Sequence, residues 1–437
     1  MTTTTAQRPT SHQTTNADTS TPSRMGSAAG VGRGGEGGGA LSVTTAVDSS
    51  PPGGRELRRA MDRVQSMIRE TCGHIPEAQR LVHCGRTPTG VGVPQVRRSE
   101  SHAYVSGLQT CGSVWSCPSC SFKIRMRRAA EISTAVARHI EAGGGVLHVV
   151  ITMPHRAGED LDGLWSMLSD CWAYTTGGGA WENFKTRHGL IGYIRAAEVT
   201  HSWRSGWHPH LHVLVLVDKP VSPVQNEEAY YQLRRAIRER WCKRMAARYE
   251  RTMSEEFGIR VDPVKADEAS GSGAYVTKVG LELAAVHTKV GRTAEHRTPF
   301  AIAHDAMANG DVDDLRLFQE WLQASWRKRS ISWSQGLREL LDIGPEATDD
   351  EIASEDQGGE IVASIDPDLW RLLVKRRDGA RADFVAVFND HTRDRTAIAY
   401  ALALLRDLGL PAVVDDTGRH PTIGLDHPSN HQGETIQ

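Results

Sequence analysis

GWHPHLHVLV, residues 206–215, brings three histidines to the mouth of an apolar strand. Alternate strand residues share a face, so His210 and His212 point the same way while Leu211 points to the other side. Two imidazoles two residues apart make a clamp for a divalent cation. His208 follows the same alternation, but Pro209 leaves its direction open, so it stands as a further candidate ligand. The segment GYIRAAEVT (192–200) supplies another donor if it pairs antiparallel with 208–217 about a turn centred near Arg204. In that register Glu198 faces His210, with side chains about 5 Å apart. Its neighbours Ala196, Ala197 and Val199 are apolar, where an unpaired carboxylate would be costly. The competing reading is a solvated strand end that happens to be rich in His.

Outward from this hairpin, VLHVVIT (146–152) reads as a strand and 258–264 as a strand or loop. Helices are expected at 56–70, 121–142, around 160–175, and at 226–251, 301–308, 312–326 and 333–342. Gly143, Gly144 and Gly145 stop the second of these. The segment GSGAYVTKVGLELAAVHTKV (271–290) opens with small residues and continues as a helix. Residues 1–55 are too polar and Gly-rich to offset chain entropy by burial, so a disordered tail is expected there. Pro345 to Gly359 reads as an acidic linker. DFVAVFND (383–390), RTAIAYALALLRDLG (395–409) and PAVVDD (411–416) read as a small β-α-β unit.

A chain of 437 residues holds two to three domains' worth of material. Its seven Cys are too few for a disulfide scaffold. No run approaches the ~18 apolar residues of a membrane span, and the polar N-terminus has no apolar signal region. A soluble, cytoplasmic protein with no membrane partner is therefore expected. The net charge of −2 hides an asymmetry: residues 346–437 carry 18 acidic and 9 basic side chains, which leaves +7 on residues 1–345. A basic body with an acidic tail suits a polyanionic partner, with a merely solvated surface as the alternative.

Cys84, Cys111, Cys117 and Cys120 form the second constellation, the last two in a C-x2-C knuckle around Pro118. Four thiolates suit tetrahedral zinc, and a reducing compartment favours metal over disulfide. Cys72, His74 and His83 are reserve ligands, whereas Cys171 and Cys242 fall in apolar helical patterns. Directly after the knuckle, Lys123, Arg125, Arg127 and Arg128 crowd a helix start and are candidate DNA contacts. Arg327, Lys328 and Arg329, beside Trp326 and Trp333, offer a second such cluster, since aromatics stack on bases and Arg holds phosphate. A solvated helix face is the alternative for each.

In order, LHVVITMP (147–154), GWHPHLHVLV (206–215) and AYVTK (274–278) resemble the three motifs of rolling-circle plasmid replication initiators. These are HUH endonucleases of the single-tyrosine type, and the likeness is to an actinobacterial form. CGSVWSCPSC (111–120) is similar to the Cys cluster that such initiators carry ahead of the first motif. The resemblance covers about 81–342. It implies an α+β fold, an antiparallel sheet with helices mainly on one face and the His pair on a central strand, preceded by a small zinc-binding module. It also implies that Tyr275 attacks a DNA phosphate, using Mg2+ or Mn2+ held by the His pair. A phenol of pKa about 10 needs a base or a nearby cation to become nucleophilic. Lys278, one helical turn on, is placed to help. The implied partners are plasmid origin DNA, single-stranded or as a hairpin at the nick, and the host helicase and DNA polymerase. The chain departs from the family at Gly271, where single-tyrosine members carry a water-activating Glu; Asp267, Glu268 and Glu282 are the nearby carboxylates. The expected organisation is a tail at 1–55, the Cys module at 56–125 and a nicking domain at 126–290. A helical extension at 291–344 and an acidic linker with a small C-terminal region at 345–437 follow. A rolling-circle transposase and a non-catalytic zinc-containing DNA-binding protein are the rival readings; no second Tyr lies near Tyr275, as such transposases usually have.

Overall fold

Two sheets organise the molecule, and each draws strands from distant stretches of chain. The computed structural model describes residues 54–90, 92–99, 102–221, 227–254, 258–264, 296–376 and 379–426. The chain begins with α1 (Gly54–Thr71), the hairpin β1 (Gln95–Arg98) and β2 (Ala103–Ser106), and α2 (Pro118–Glu141). Next come β3 (Gly145–Thr152), α3 (Leu161–Thr175), α4 (Gly179–His188), β4 (Leu190–Ser202), β5 (Gly206–Val217), α5 (Glu227–Tyr249) and β6 (Ile259–Pro263). The third stretch is α6 (Pro299–Asn309), α7 (Val312–Ala324), β7 (Ile331–Trp333), α8 (Leu337–Leu340) and α9 (Asp349–Ser354). Last are β8 (Glu360–Ile365), α10 (Pro367–Leu373), α11 (Ala380–Asp390), α12 (Asp394–Asp407), β9 (Ala412–Asp415) and β10 (Thr422–Leu425).

The first sheet has the order β6-β3-β5-β4-β7 and is antiparallel throughout. Its spine is the β4–β5 hairpin, turned by Trp203–Ser205, with Glu198 opposite His210. The Ser205 N–H donates to Ser202 Oγ at 3.0 Å within the turn. Gly206 closes it at φ 76°, where a β-carbon would also sit 3.1 Å from Ala157 Cα. Leu147, Val149, Ala197, Val199, Leu211, Val213 and Val215 line one face, packed with α3 and α5 side chains such as Leu168 and Trp241. Val146, Ile194, Ala196, Leu214 and Leu216 line the other, against Ala129, Ile132 and Val136 of α2. Helices therefore cover both faces rather than mainly one. The reason is legible in Val213–Val217, an unbroken apolar run that only a doubly covered strand can bury. β5, with the His pair, is central.

The second sheet has the order β2-β1-β8-β10-β9. It joins the hairpin just before the Cys knuckle to the C-terminal strands, β1 pairing antiparallel with β8 and β10 parallel to β8. The expected bounds at 56–125 and 345–437 thus do not follow the sheets. The expected β-α-β unit is also corrected: 383–390 lies in helix α11, not a strand. Ala380, Phe384 and Phe388, four residues apart, form one stripe in a core with Trp370 and Leu405. Short apolar runs fit either period, and the packing of that stripe on Trp370 and Leu405 selects the helix. The acidic stretch 345–359 contains α9, started by a Thr348–Glu351 capping box, and packs on α2. Trp333, expected to begin a helix over 333–342, ends the edge strand β7, and the helix there is confined to Leu337–Leu340. No helix among the described residues is long and apolar enough to cross a membrane.

Candidate functional site

Three donors converge at one end of the first sheet, on the face that α2 covers only further along. Glu198 Oε2 lies 2.7 Å from His210 Nε2 and 2.7 Å from His212 Nε2. The trio stands on two adjacent strands, β4 and β5, and on the other side β3 pairs Thr152 with His210 and Val150 with His212, so its register is fixed from both sides. Burial alone would raise the Glu198 carboxyl, but the hydrogen bonds from His210 and His212 outweigh it and hold the group well below the usual carboxylate range. The His210 Nδ1–H donates to the His208 carbonyl oxygen at 3.3 Å, which leaves Nε2 as the nitrogen available to a metal. Metal–ligand bonds of about 2.1 Å separate neighbouring donors by about 3.0–3.4 Å. A small opening of the present 2.7 Å contacts therefore admits a divalent cation, and an anionic oxygen with two imidazoles is a fitting donor set.

His148 was not singled out from the sequence. Its Nε2 lies 3.1 Å from His212 Nδ1, with the rings nearly parallel at 16°. It contacts the back of a candidate ligand, where a partner sets the tautomer. Desolvation, with the His212 and Arg260 charges nearby, depresses its pKa to about 4, so the ring is neutral. The available signal was a polar side chain inside the otherwise apolar VLHVVIT.

His208 is the fourth proposed ligand, and the geometry does not gather it with the other three. Its ring instead stacks on His155 at a centroid distance of 4.7 Å. Tyr275, Lys278, Gly271, Asp267, Glu268 and Glu282 lie outside the described residues. The described chain stops at Val264 and resumes at His296, whose ring centroid is 6.4 Å from that of His208. Arg297 then bridges to His201 in β4 through paired backbone hydrogen bonds of 2.9 Å. The described chain therefore resumes beside the His strand.

Cys84, Cys111, Cys117 and Cys120 come together as four buried thiols. Pro118 starts α2, with Cys117 as its N-cap and Cys120 in its first turn. The sulfur separations are 3.6 Å (Cys84–Cys117), 3.5 Å (Cys84–Cys120) and 3.7 Å (Cys111–Cys120). A tetrahedral zinc with bonds of about 2.3 Å has sulfur–sulfur edges of about 3.8 Å, so the cluster fits that ion. Hydrogen bonds from Cys111, Cys120 and Cys84 pull the Cys117 thiol well below its usual range. The Gln65 Nε2–H donates to the same sulfur at 3.3 Å.

Of the four cations expected to contact DNA after the knuckle, three are engaged within the fold. Arg125 is buried, donating from Nε to Ser121 Oγ at 2.9 Å and from Nη2 to the Val114 carbonyl at 3.2 Å, with its guanidinium over Trp115. Burial lowers its pKa to about 9. Arg128 is buried too, held by the Ala347 carbonyl at 2.6 Å and by Asp349. Lys123 donates to the Ala353 and Glu355 carbonyls at the end of α9. Arg127 alone of the four is largely exposed, paired with Glu131. The helix start is crowded with cations because it anchors the acidic segment, a role that spacing could not distinguish from phosphate binding.

Comparison with known proteins points the same way as the ordered motifs. A "Protein rep" of Streptomyces lividans is 26% identical over 372 residues, covering 70% of this chain and 81% of that protein. A "Neomycin resistance protein" of Streptomyces cyanogenus is 35% identical over 150 residues, 29% of this chain and 34% of its own length. A "Protein rep" of Streptococcus pneumoniae is 29% identical over 104 residues, 23% and 31% of the two chains. No solved structure matches the chain significantly. The family model described as "Replication protein" matches residues 104–364, a span that holds the Glu198–His210–His212 trio and three of the four clustered cysteines. By that match, over more than half of its length, the chain belongs to the Replication protein family.

Proposed function

We propose that this chain initiates rolling-circle replication of a plasmid by nicking and rejoining its origin, on an HUH-type nuclease sheet. The carrying observation is the convergence of Glu198 Oε2, His210 Nε2 and His212 Nε2 on one sheet end in a member of this family. In this reading Tyr275 Oη attacks the scissile phosphorus and forms a 5′-phosphotyrosine. The P–O3′ bond breaks, and its electron pair leaves with O3′, which takes a proton to become the 3′-hydroxyl that a host polymerase extends. When bound, Mg2+ or Mn2+ supplies Lewis-acid polarisation of the scissile phosphate. Glu198, His210 and His212 hold that ion, and His148 and the His208 carbonyl orient the two imidazoles toward it. Lys278 supports the phosphate or the tyrosinate, and one of Asp267, Glu268 and Glu282 activates water at termination. The four cysteines carry a zinc that is structural, since a closed four-thiolate shell leaves no position for substrate. Origin DNA, a host helicase and a host polymerase are the partners, in the cytoplasm.

Tyr275→Phe removes the attacking oxygen and little else. With a fluorescent single-stranded or hairpin origin oligonucleotide and Mn2+, the wild type should form an adduct that survives denaturing electrophoresis. The Tyr275→Phe chain should bind the oligonucleotide and form none. An adduct at unchanged yield in that variant would assign the chemistry to another residue. Binding without any adduct in the wild type would favour the non-catalytic reading.

A further inference from the structure

A cleft of about 590 Å³ opens between the Cys cluster and the edge strand β7. One wall is the turn Trp326-Arg327-Lys328-Arg329, which joins α7 to β7. Arg327 and Arg329 are exposed and have no carboxylate partner among the described residues, and Arg327 lies over the half-buried Trp326 ring at 5.8 Å. Arg327 also holds φ 56°, a left-handed backbone that a long side chain seldom adopts without a constraint. Lys328 is tethered instead, by Asp162 at 2.8 Å. The turn is aligned with the trio through the sheet. β7 pairs Ile331 with Ala196, and the Ala197 N–H donates to the Ser330 carbonyl at 3.0 Å. Arg329 is the next residue beyond that hydrogen bond, toward the Glu198 end of β4.

The opposite wall is acidic and already engaged. Asp350 takes Arg80 in a two-pronged contact of 2.6 and 3.2 Å, and Asp349 and Glu346 lie 3.3 and 3.4 Å from Arg128. Two parallel N–H···O bonds are the geometry by which a guanidinium also grips phosphate. The Arg80–Asp350 pair is more than half exposed at both ends, so it is weak and readily exchanged.

We propose that this cleft is the groove for the sugar–phosphate backbone of one DNA strand running past Glu198. In it Arg327 and Arg329 hold phosphates, Trp326 offers a ring to a base, and Asp350 occupies Arg80 until the strand displaces it. The proposal deepens the nicking reading by placing its substrate, and it rests on that reading only for the identity of the polyanion.

The test is fluorescence anisotropy with a labelled 20-nucleotide single strand of mixed sequence, titrated with the full chain in buffer free of divalent cations at several salt concentrations. Arg327→Gln with Arg329→Gln should weaken binding roughly 10-fold at about 0.1 M salt. It should also reduce the slope of log affinity against log salt by about 1.4, two contacts at about 0.7 each for single strands. Asp350→Asn, which releases Arg80, should tighten binding about threefold or more. Arg316→Gln, an exposed cation on α7 paired with Asp313, is the control and should bind like the wild type. Because the substituted side chains are exposed, thermal melts should coincide with the wild type. Wild-type affinity and salt slope in the double arginine variant would overturn the groove, and no gain in Asp350→Asn would overturn the exchange with Arg80. Adduct formation by the same variants on a labelled single-stranded origin oligonucleotide with Mn2+ separates the two claims. Adducts with unchanged binding in the arginine variants would sink the groove and keep the nicking. Weakened binding in those variants, with no adduct from the wild type, would do the reverse.

Discussion

Cys117→Ser should remove a cross-link that ties the start of α2 to Cys84, 34 residues back counting both ends. Cys117 is completely enclosed, and its sulfur meets Cys84 and Gln65, so serine leaves a shorter bond radius and a poor zinc ligand at the centre of the shell. Treating the ion as a cross-link, closing a loop of that length restricts the unfolded chain by about 4 kcal/mol. For a folded body of the 329 residues described, an unfolding entropy of about 2.1 cal/mol/K per residue converts this into a fall in Tm of about 5–6 °C. The assay is elemental analysis paired with calorimetry. Wild type should carry about one zinc per chain, Cys117→Ser well under half of one, and His210→Ala the wild-type amount, because the two sites share no residue. Mn2+ binding should persist in Cys117→Ser. The reasoning is refuted if carefully prepared wild type holds no zinc, or if Cys117→Ser melts at the wild-type temperature.

His148→Phe keeps the ring volume on β3 but loses the contact to His212 Nδ1; Mn2+ affinity, read by electron paramagnetic resonance, should fall about 10–100-fold with the melting temperature little changed. An unchanged affinity would demote His148 to packing. His201, buried beside Arg297, has its pKa depressed to about 4 from 6.5, by desolvation first and then by the Arg297 charge. Between those values the unfolded state binds the extra proton, so stability is complete above about pH 6.5 and is lost as pH falls toward 4. His201→Gln should therefore flatten the acid limb of a urea-melt series by about one proton, or about 1.4 kcal/mol per pH unit at most. A limb of undiminished slope would mean that His201 does not titrate with folding.

The β4–β5 hairpin was legible because both of its determinants are local. Alternation fixes which side chains share a face, and a three-residue turn fixes which residues oppose, so Glu198 and His210 could be paired from 192–217 alone. The Cys quartet was legible for a similar reason, since two thiols at knuckle spacing with two more upstream match the ligand set of a tetrahedral metal. The C-terminal region was not. In DFVAVFND the helical and strand periods both fit, and only the stripe Ala380–Phe384–Phe388 against Trp370 decides between them. The join of β1 to β8, across more than 250 residues, has no signature in either strand.

The sequence by itself determined the donors: which side chains can hold a cation, in what order along the chain, and on which face of a strand. The tertiary structure alone decided which charged groups are available. Arg125 and Arg128 read as phosphate contacts in the chain, yet they are buried against Trp115 and the 346–350 carboxylates, while Arg327 and Arg329 stay exposed. A cation's role depends on which anion or solvent reaches it, and that is set by segments hundreds of residues away. Strand alternation is carried by each residue and its neighbours, whereas desolvation is a property of the whole packed body.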